Sequence, residues 1–331
     1  MGAFRLVETG HDDDGRAVFR FDGTPAHSVA ADSGLGVAEH LWLDGVPATA
    51  DDGTDRTGAG FDLEPPAGGA SVRIIRIPPP APDATGDERW LRVEGEDPAR
   101  PGMHTTDTLD GIFVLDGDLV LELDDGEHAL SSGDCVIQRG TAHRWRVAGD
   151  RPCTYAAVML RPEAGGASQP APVAMTAPRA HPAPEGWRRI VTGTGADGRS
   201  HVEAEGGAPS ALRVTGTTLA ELWQTGGPLA DPTQGGDPPG DWDLEPRGRG
   251  VAFRSVQMPG GHDPGEAGWH TTDTIDVDIV VSGRVALHLP DLDPVELGPG
   301  DTVLQRGTHH KWVPLGDEPV HWIAVMWALR H

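Results

Sequence analysis

Hydrophobic and polar residues alternate along much of this chain with a period of two, which is typical of β-strands that bury one face. Leu119, Leu121 and Leu123 alternate with more polar neighbours, and the turn sequence Asp-Asp-Gly follows at residues 124–126. Residues 285–289 repeat the alternation. No stretch has the period of a helix, and glycine and proline interrupt the chain often. The pattern predicts an all-β fold of short strands that close into a small barrel or jelly roll.

The two halves of the chain repeat one another. MHTTDTLDGIFVLDG at residues 103–117 aligns with WHTTDTIDVDIVVSG at residues 269–283, and RLVETGHDDDGR at residues 5–16 aligns with RRIVTGTGADGR at residues 188–199. The segment QRGTAHRW in the first half returns as QRGTHHKW in the second. The repeat indicates two related domains, each large enough to bury a core.

A segment rich in proline and alanine separates the two repeats. It has no apolar periodicity, which is typical of a stiff, exposed linker. The predicted division is an N-terminal domain at residues 1–160, a linker at residues 161–186 and a C-terminal domain at residues 187–331.

Two histidines and an aspartate recur at matching positions in both repeats. Because alternate residues of a strand face the same side, His104, Thr106 and Asp110 are expected to point one way. A glycine turn then leads to His143, which begins a strand whose inward set includes Trp145. Two imidazoles and a carboxylate from neighbouring strands predict a three-ligand site with open positions, suited to iron, manganese, nickel or zinc.

The second repeat predicts the same site, so the chain carries two candidate centres. The predicted metal ligands are His104, Asp110, His143, His270, Asp276 and His310. The residues expected to support these ligands or to line a substrate pocket are Thr106, Gln138, Trp145, Thr272, Asp278, Gln305 and Trp312. Asp278 stands where the first repeat has Ile112, and it either makes the second cavity more polar or lies at a bulge and faces water.

These residues resemble the two conserved stretches of the cupin superfamily. The first stretch, of the form G-x5-H-x-H-x3-4-E-x6-G, is matched by His104, Asp110 and Gly117. The second, of the form G-x5-P-x-G-x2-H-x3-N, is matched at Gly140 and His143. The chain is most similar to cupins with the patterns H-x-T-D-x-x-D and Q-R-G-T-x-H-x-W, here doubled. The resemblance implies two tandem cupin jelly-roll barrels, a bicupin.

The chain departs from the family pattern at the same places in both repeats. Thr106 stands where the family has its second histidine, Asp110 replaces the glutamate, and Gln138 replaces the proline. Since aspartate is one methylene shorter than glutamate, Asp110 either binds the metal or orients a histidine that does. If Asp110 only orients a histidine, the amide oxygen of Gln138, or of Gln305 in the second repeat, is the remaining candidate ligand for the metal.

Composition and charge exclude several classes of partner. The formal net charge is −25 and Lys311 is the only lysine, so an affinity for nucleic acid or for an anionic membrane has little basis. No window approaches the ~18 apolar residues of a membrane span, and no basic, apolar leader begins the chain, which predicts a cytoplasmic protein. Cys135 and Cys153 are too few for a disulfide framework and are expected to be buried thiols.

The resemblance implies a metal-dependent enzyme that acts on a small organic molecule. Its reaction is either that of an oxygenase or that of a non-redox isomerase, cyclase or decarboxylase. The alternative is a non-catalytic bicupin that binds a small molecule or has a structural role. Arginine as nearly the sole basic residue is typical of a GC-rich bacterial genome and favours specialised metabolism. The resemblance also implies that the chain can form a homodimer.

Overall fold

A computed structural model describes residues 4–163 and 187–330, apart from residues 54, 55, 57, 215, 228, 230, 234, 237–242, 247, 249 and 262. Most of the predicted linker, residues 164–186, lies outside the described residues. Strands dominate the rest, with 3₁₀ turns at Gly86–Arg89 and Gly265–Gly268. Within the described ranges, no helix has the length and apolar character needed to cross a membrane.

Each repeat contributes the same series of short strands. Those of the first repeat are β1 (Leu6–His11), β2 (Ala17–Gly23), β3 (Ser28–Ala30), β4 (Gly36–Leu43), β5 (Ala70–Ile77), β6 (Leu109–Asp116), β7 (Asp118–Leu123), β8 (Gly126–Ser131), β9 (Asp134–Arg139), β10 (Arg144–Val147) and β11 (Cys153–Leu160). Those of the second repeat are β12 (Arg188–Thr194), β13 (Ser200–Gly206), β14 (Ser210–Val214), β15 (Thr217–Gln224), β16 (Val251–Met258), β17 (Thr274–Ser282), β18 (Val285–His288), β19 (Val295–Leu297), β20 (Thr302–Arg306), β21 (Lys311–Pro314) and β22 (Val320–Ala328).

The strands form a large sheet and a small sheet in each repeat. The large sheets contain the orders β3-β4-β5-β11-β6-β9 and β14-β15-β16-β22-β17-β20, which correspond strand by strand. The small sheets have the orders β10-β7-β8 and β19-β18-β21, which correspond in the same way. The prediction of an all-β fold with two tandem jelly-roll barrels is confirmed.

The first hairpin of each repeat belongs to the large sheet of the other repeat. The hairpin β1-β2 joins its host sheet by parallel pairing of β1 with β20, and the hairpin β12-β13 joins by parallel pairing of β12 with β9. Ion pairs reinforce both joints, since Arg306 lies 2.7 Å from Glu8 and Arg139 lies 2.5 Å from Glu203. The predicted domain boundaries remain a prediction, because each large sheet contains strands from both sides of the linker.

Apolar side chains fill the space between the two large sheets and the interior of each barrel. Phe113, Trp187 and Phe253 belong to a cluster between the sheets, in which Phe113 meets the other two rings edge-on at centroid distances of 6.0 and 5.9 Å. Separate clusters lie inside the barrels and include Trp145 in the first and Trp312 in the second. The two repeats therefore share one hydrophobic interface while each barrel keeps its own core.

His40 is a buried polar residue in a bulge of β4. The pairing of β4 with β5 passes from Glu39 to Leu41, so His40 is the extra residue. Both of its ring nitrogens are buried without a hydrogen-bond partner among the described residues, and burial lowers the pKa of His40 to about 3. The corresponding bulge of β15 holds Leu222, which packs in the cluster between the sheets. The bulge position is thus a histidine in the first repeat and a leucine in the second.

We expect His40→Leu to stabilise the fold by about 1–3 kcal/mol at neutral pH, because it removes two buried nitrogens without partners. The pKa of His40 is about 3 in the fold, below its ordinary value of 6.5, so the parent protein loses stability as the pH falls from 6.5 towards 3. The variant avoids that loss, and its advantage should widen by about 1.4 kcal/mol per pH unit in this window. Urea unfolding at pH 7 and pH 5 measures both effects. An equal difference at the two pH values would contradict the expectation, and Leu222→His is the reciprocal control, expected to destabilise.

Candidate metal centre

His104 and His143 lie side by side in the first barrel. Their backbones exchange two hydrogen bonds of 2.9 Å, which form an isolated antiparallel bridge, and their ring centroids are 4.3 Å apart. His270 and His310 repeat this bridge in the second barrel, with ring centroids 4.2 Å apart. The fold therefore brings together both pairs of histidines that the repeated sequence predicted.

A backbone carbonyl holds the Nδ1 atom of each ring. Nδ1 of His104 lies 2.9 Å from the carbonyl oxygen of Gly102, and Nδ1 of His143 lies 2.8 Å from that of Thr141. The second barrel repeats both contacts at 2.9 Å. A carbonyl oxygen only accepts, so Nδ1 carries the proton and Nε2 keeps its lone pair. Histidines that bind metals in proteins commonly have this arrangement.

The inner histidine of each pair is fully buried and uncharged near neutral pH. Burial is the main cause that lowers the pKa of His143 to about 3 and that of His310 to about 3. Burial also lowers the pKa of His104. A neutral imidazole with a free Nε2 atom is the form that binds a transition metal.

Asp110 lies in the interior of the first barrel. It stands opposite Gln138 in the pairing of β6 with β9, and its Oδ2 atom accepts a hydrogen bond of 3.4 Å from Thr106. Its Oδ1 atom is buried without a hydrogen-bond partner among the described residues, and burial raises the pKa of Asp110 to about 7. No three His, Cys, Asp or Glu side chains of the described chain are grouped closely enough to hold a metal ion. The role of Asp110 and Asp276 as third ligands therefore remains a prediction.

The second barrel contains one more buried carboxyl group. Asp276 accepts a hydrogen bond of 3.2 Å from Thr272, and burial raises the pKa of Asp276 to about 7. Asp278 pairs regularly with Val303 and Ala324, and the bulge of β17 lies further along the strand. Asp278 is buried, and burial together with the nearby Asp276 raises its pKa well above the usual value. Of the two alternatives for Asp278, the structure therefore supports the more polar cavity.

The two glutamines of the predicted sites lie directly behind the inner histidines. The side-chain nitrogen of Gln138 is 3.1 Å from Nδ1 of His143, and that of Gln305 contacts Nδ1 of His310. The side-chain oxygen of Gln138 has no hydrogen-bond partner among the described residues, whereas that of Gln305 accepts a bond of 2.8 Å from Thr308. Each amide nitrogen donates to the same threonine carbonyl that accepts the Nδ1 proton, Thr141 at 3.0 Å and Thr308 at 3.3 Å, so amide and imidazole share one acceptor.

Two tryptophans form the inner wall beside the histidines. Trp145 meets His143 edge-on at a centroid distance of 5.6 Å, and Trp312 meets His310 edge-on at 5.9 Å. Both indoles belong to the barrel cores. Trp145 and Trp312, predicted to support the ligands or to line a substrate pocket, thus fill the core beside the imidazoles.

The residues present fit a transition metal bound by two imidazoles in each barrel. The anchored Nδ1 atoms and the Nε2 lone pairs are the donor chemistry that iron, manganese, nickel and zinc accept. Asp110 and Asp276 each bury a carboxyl oxygen that has no hydrogen-bond partner among the described residues. Two protein ligands leave several coordination positions open for water or for a small molecule.

A cleft of about 640 Å³ lies on the first repeat, and none of the predicted site residues lines it. Glu64 lines it and accepts a hydrogen bond of 3.1 Å from the backbone of Asp107, close to His104 along the chain. The other walls include Trp42 and Arg56, whose guanidinium carbon lies 3.7 Å from the centroid of a Trp42 ring. Trp42 is buried and its ring is covered by Arg56, so the cleft offers a small molecule mainly charged groups.

Sequence reasoning missed a buried ion pair in each barrel. Arg73 lies 3.0 Å from Glu39 in the first, and Arg254 lies 2.8 Å from Glu221 in the second. The four residues occupy matching positions of β4, β5, β15 and β16. Charged residues repeated at matching places in otherwise apolar strands were the signal that could have revealed them.

Comparisons with known proteins confirm the resemblance drawn from the motifs. Residues 90–159 match the family model of the cupin domain. Phomopsin biosynthesis cluster protein C' of Diaporthe leptostromiformis is 34% identical over 126 residues, which cover 34% of this chain and 65% of that protein. Protein D of the same cluster is 50% identical over 52 residues, which cover 14% of this chain and 28% of that protein. The chain therefore spans less than two thirds of either relative.

Solved structures show a more distant likeness. An oxalate decarboxylase of Lactobacillus farciminis, in complex with formate, is 11% identical with a TM-score of 0.43, and the match covers 92% of this chain and 84% of that one. This likeness says nothing about the activity of the chain. The chain contains a cupin domain at residues 90–159, and the strand order of that barrel is repeated in the second half.

Thr106 stands where the family has its second histidine, so Thr106→His should add a third imidazole to the first pair. We expect the variant to bind Zn²⁺ about tenfold or more tightly than the parent, a factor typical of changes around a metal site. Isothermal titration of the full chain measures the affinity. Asp107→His is the matched control, because Asp107 is exposed and its neighbour is buried. Equal affinities of the two variants would contradict the expectation.

Proposed function

We propose that this chain is a metal-dependent bicupin enzyme that acts on a small organic molecule in specialised metabolism. The observation that carries the proposal is the pair of adjacent histidines in each barrel, with Nδ1 of every ring anchored to a carbonyl and the inner ring, His143 or His310, buried and uncharged. Relatives that belong to a biosynthesis cluster support the metabolic setting.

In this proposal, Nε2 atoms of His104 and His143 hold the metal in the first barrel, and those of His270 and His310 hold it in the second. A divalent transition metal there, whether iron, manganese, nickel or zinc, supplies a Lewis acid with open positions. The chemistry of an oxygenase and that of a non-redox isomerase, cyclase or decarboxylase both suit this donor set.

The buried carboxyl groups contribute a proton in the proposed reaction. Burial raises the pKa of Asp110 to about 7, so near neutral pH the group can release or take up a proton at its unpartnered Oδ1 atom. Asp276 has the same environment in the second barrel, where Asp278 adds a further carboxyl group. The two barrels therefore offer related sites of different polarity, which suits different substrates or different steps.

One observation favours a second candidate function. Within the described residues, no third His, Cys, Asp or Glu joins either histidine pair closely enough to hold a metal. A bicupin that binds a small molecule in its cleft without converting it needs no such ligand. A homodimer and a cytoplasmic location also remain predictions of the sequence.

Metal analysis of the full chain, purified without added metal, tests the enzyme proposal. His104→Ala and His270→Ala should each remove about half of the bound transition metal, because each variant breaks one of two equivalent pairs. His128→Ala is the control, since His128 is partly exposed and bonds Asp125 at 2.9 Å. Less than ~0.1 equivalents of metal in the parent, with none taken up on addition, would favour the non-catalytic bicupin.

A further inference from the structure

A threonine of each exchanged hairpin reaches the histidine site of the other repeat. Thr192 of β12 lies beside Thr141, with 2.9 Å between the hydroxyl oxygens, and Thr9 of β1 lies beside Thr308, with 3.0 Å between them. All four side chains are buried. The contacts are equivalent in the two barrels, and each joins the first repeat to the second.

Each of these threonines also binds the backbone where the host strand ends. The N–H of Arg139 donates to the Thr192 hydroxyl at 3.1 Å, and the N–H of Arg306 donates to the Thr9 hydroxyl at 3.2 Å. These arginines are the last residues of β9 and β20, and the glycines that follow them have φ of 59° and 61°. A left-handed glycine turns the chain sharply at this point. The threonine therefore fixes the start of the turn that leads to the inner histidine.

The contacts continue from the threonine to the imidazole. In the first barrel, Thr141 meets Thr192 through its hydroxyl and accepts the Nδ1 proton of His143 at its carbonyl, 2.8 Å away. In the second barrel, Thr308 holds His310 in the same way at 2.9 Å. Thr9 there also donates to the side-chain oxygen of Gln305, whose nitrogen contacts Nδ1 of His310. No more than two side chains separate the hairpin from the ring.

We propose that Thr9 and Thr192 are positioning residues, each of which orients the buried histidine in the barrel completed by its hairpin. Thr192 of the second repeat acts on His143, and Thr9 of the first repeat acts on His310. Neither repeat then carries a complete site in its own sequence. The inference rests on the proposed function only in taking these histidines as the chemical groups of the site.

A crossed pair of variants tests this assignment. Thr192→Val and Thr9→Val remove the hydroxyl with little change in shape. The readout is hydrogen exchange of the Nδ1 proton of each inner histidine, followed by NMR in the full chain, with resonances assigned from His143→Gln and His310→Gln. We expect Thr192→Val to speed the exchange at His143 about tenfold and to leave His310 unchanged. Thr9→Val should do the reverse. Each variant loses the hydrogen bond between the two threonine hydroxyls, Thr192 with Thr141 or Thr9 with Thr308.

Conservative and distant variants separate positioning from general destabilisation. Thr192→Ser and Thr9→Ser keep the hydroxyl and should exchange as the parent does, and Thr194→Val is the control on an exposed position of the same hairpin. An effect on the histidine of the variant's own repeat, an equal effect on both histidines, or no effect would each overturn the proposal. If a valine variant does not fold, Thr→Ala at that position gives the same comparison. The metal content plays no part in this readout, so a chain without metal would contradict the proposed function and leave this result intact.

Discussion

Parallel pairing between the two repeats is the constraint on which the rest of the molecule depends. β1 adds to β20 from Leu6 opposite Thr302, and β12 adds to β9 from Arg188 opposite Asp134. Each large sheet is therefore completed by a strand from the other half of the sequence, and the two sheets cannot separate without losing backbone hydrogen bonds. The apolar cluster between the sheets and the buried threonines beside the inner histidines both follow from this exchange.

The alternation of residues predicted which side chains face the barrel interior, and the repeat predicted which of them form pairs. Asp107 is exposed and Asp110 is buried, as a two-residue period requires, and the histidines meet across neighbouring strands. Spacing along a strand gives the face of a side chain but not its reach, so it did not determine whether Asp110 joins the histidines. The exchange of hairpins lay outside sequence reasoning for another reason. The segments RLVETG and RRIVTG are so alike that their sequences do not indicate which sheet each one joins.

Both barrels bury several polar and charged side chains. The Glu221 and Arg254 side chains are each 1% exposed, and burial raises the pKa of Glu221 to about 7 even beside its partner. A well-packed apolar pair of the same volume often serves stability as well or better. Asp110, Asp276 and Asp278 are also buried carboxyl groups, and their desolvation costs stability in the same way. Polar interiors at matching positions of both repeats are typical of sites retained for binding or catalysis and not for stability.

The exchanged hairpins have a consequence for the ancestry of the chain. A protein with one such repeat could complete its sheet in the same way by trading hairpins with a second copy, which is the arrangement of a domain-swapped homodimer with two-fold symmetry. Duplication and fusion would turn that dimer into a single chain, and residues 164–186 would then act as the tether that makes the exchange intramolecular. Fusion also frees the two halves to change separately, and Asp278 opposite Ile112, like Leu222 opposite His40, is a difference that a symmetric dimer could not hold.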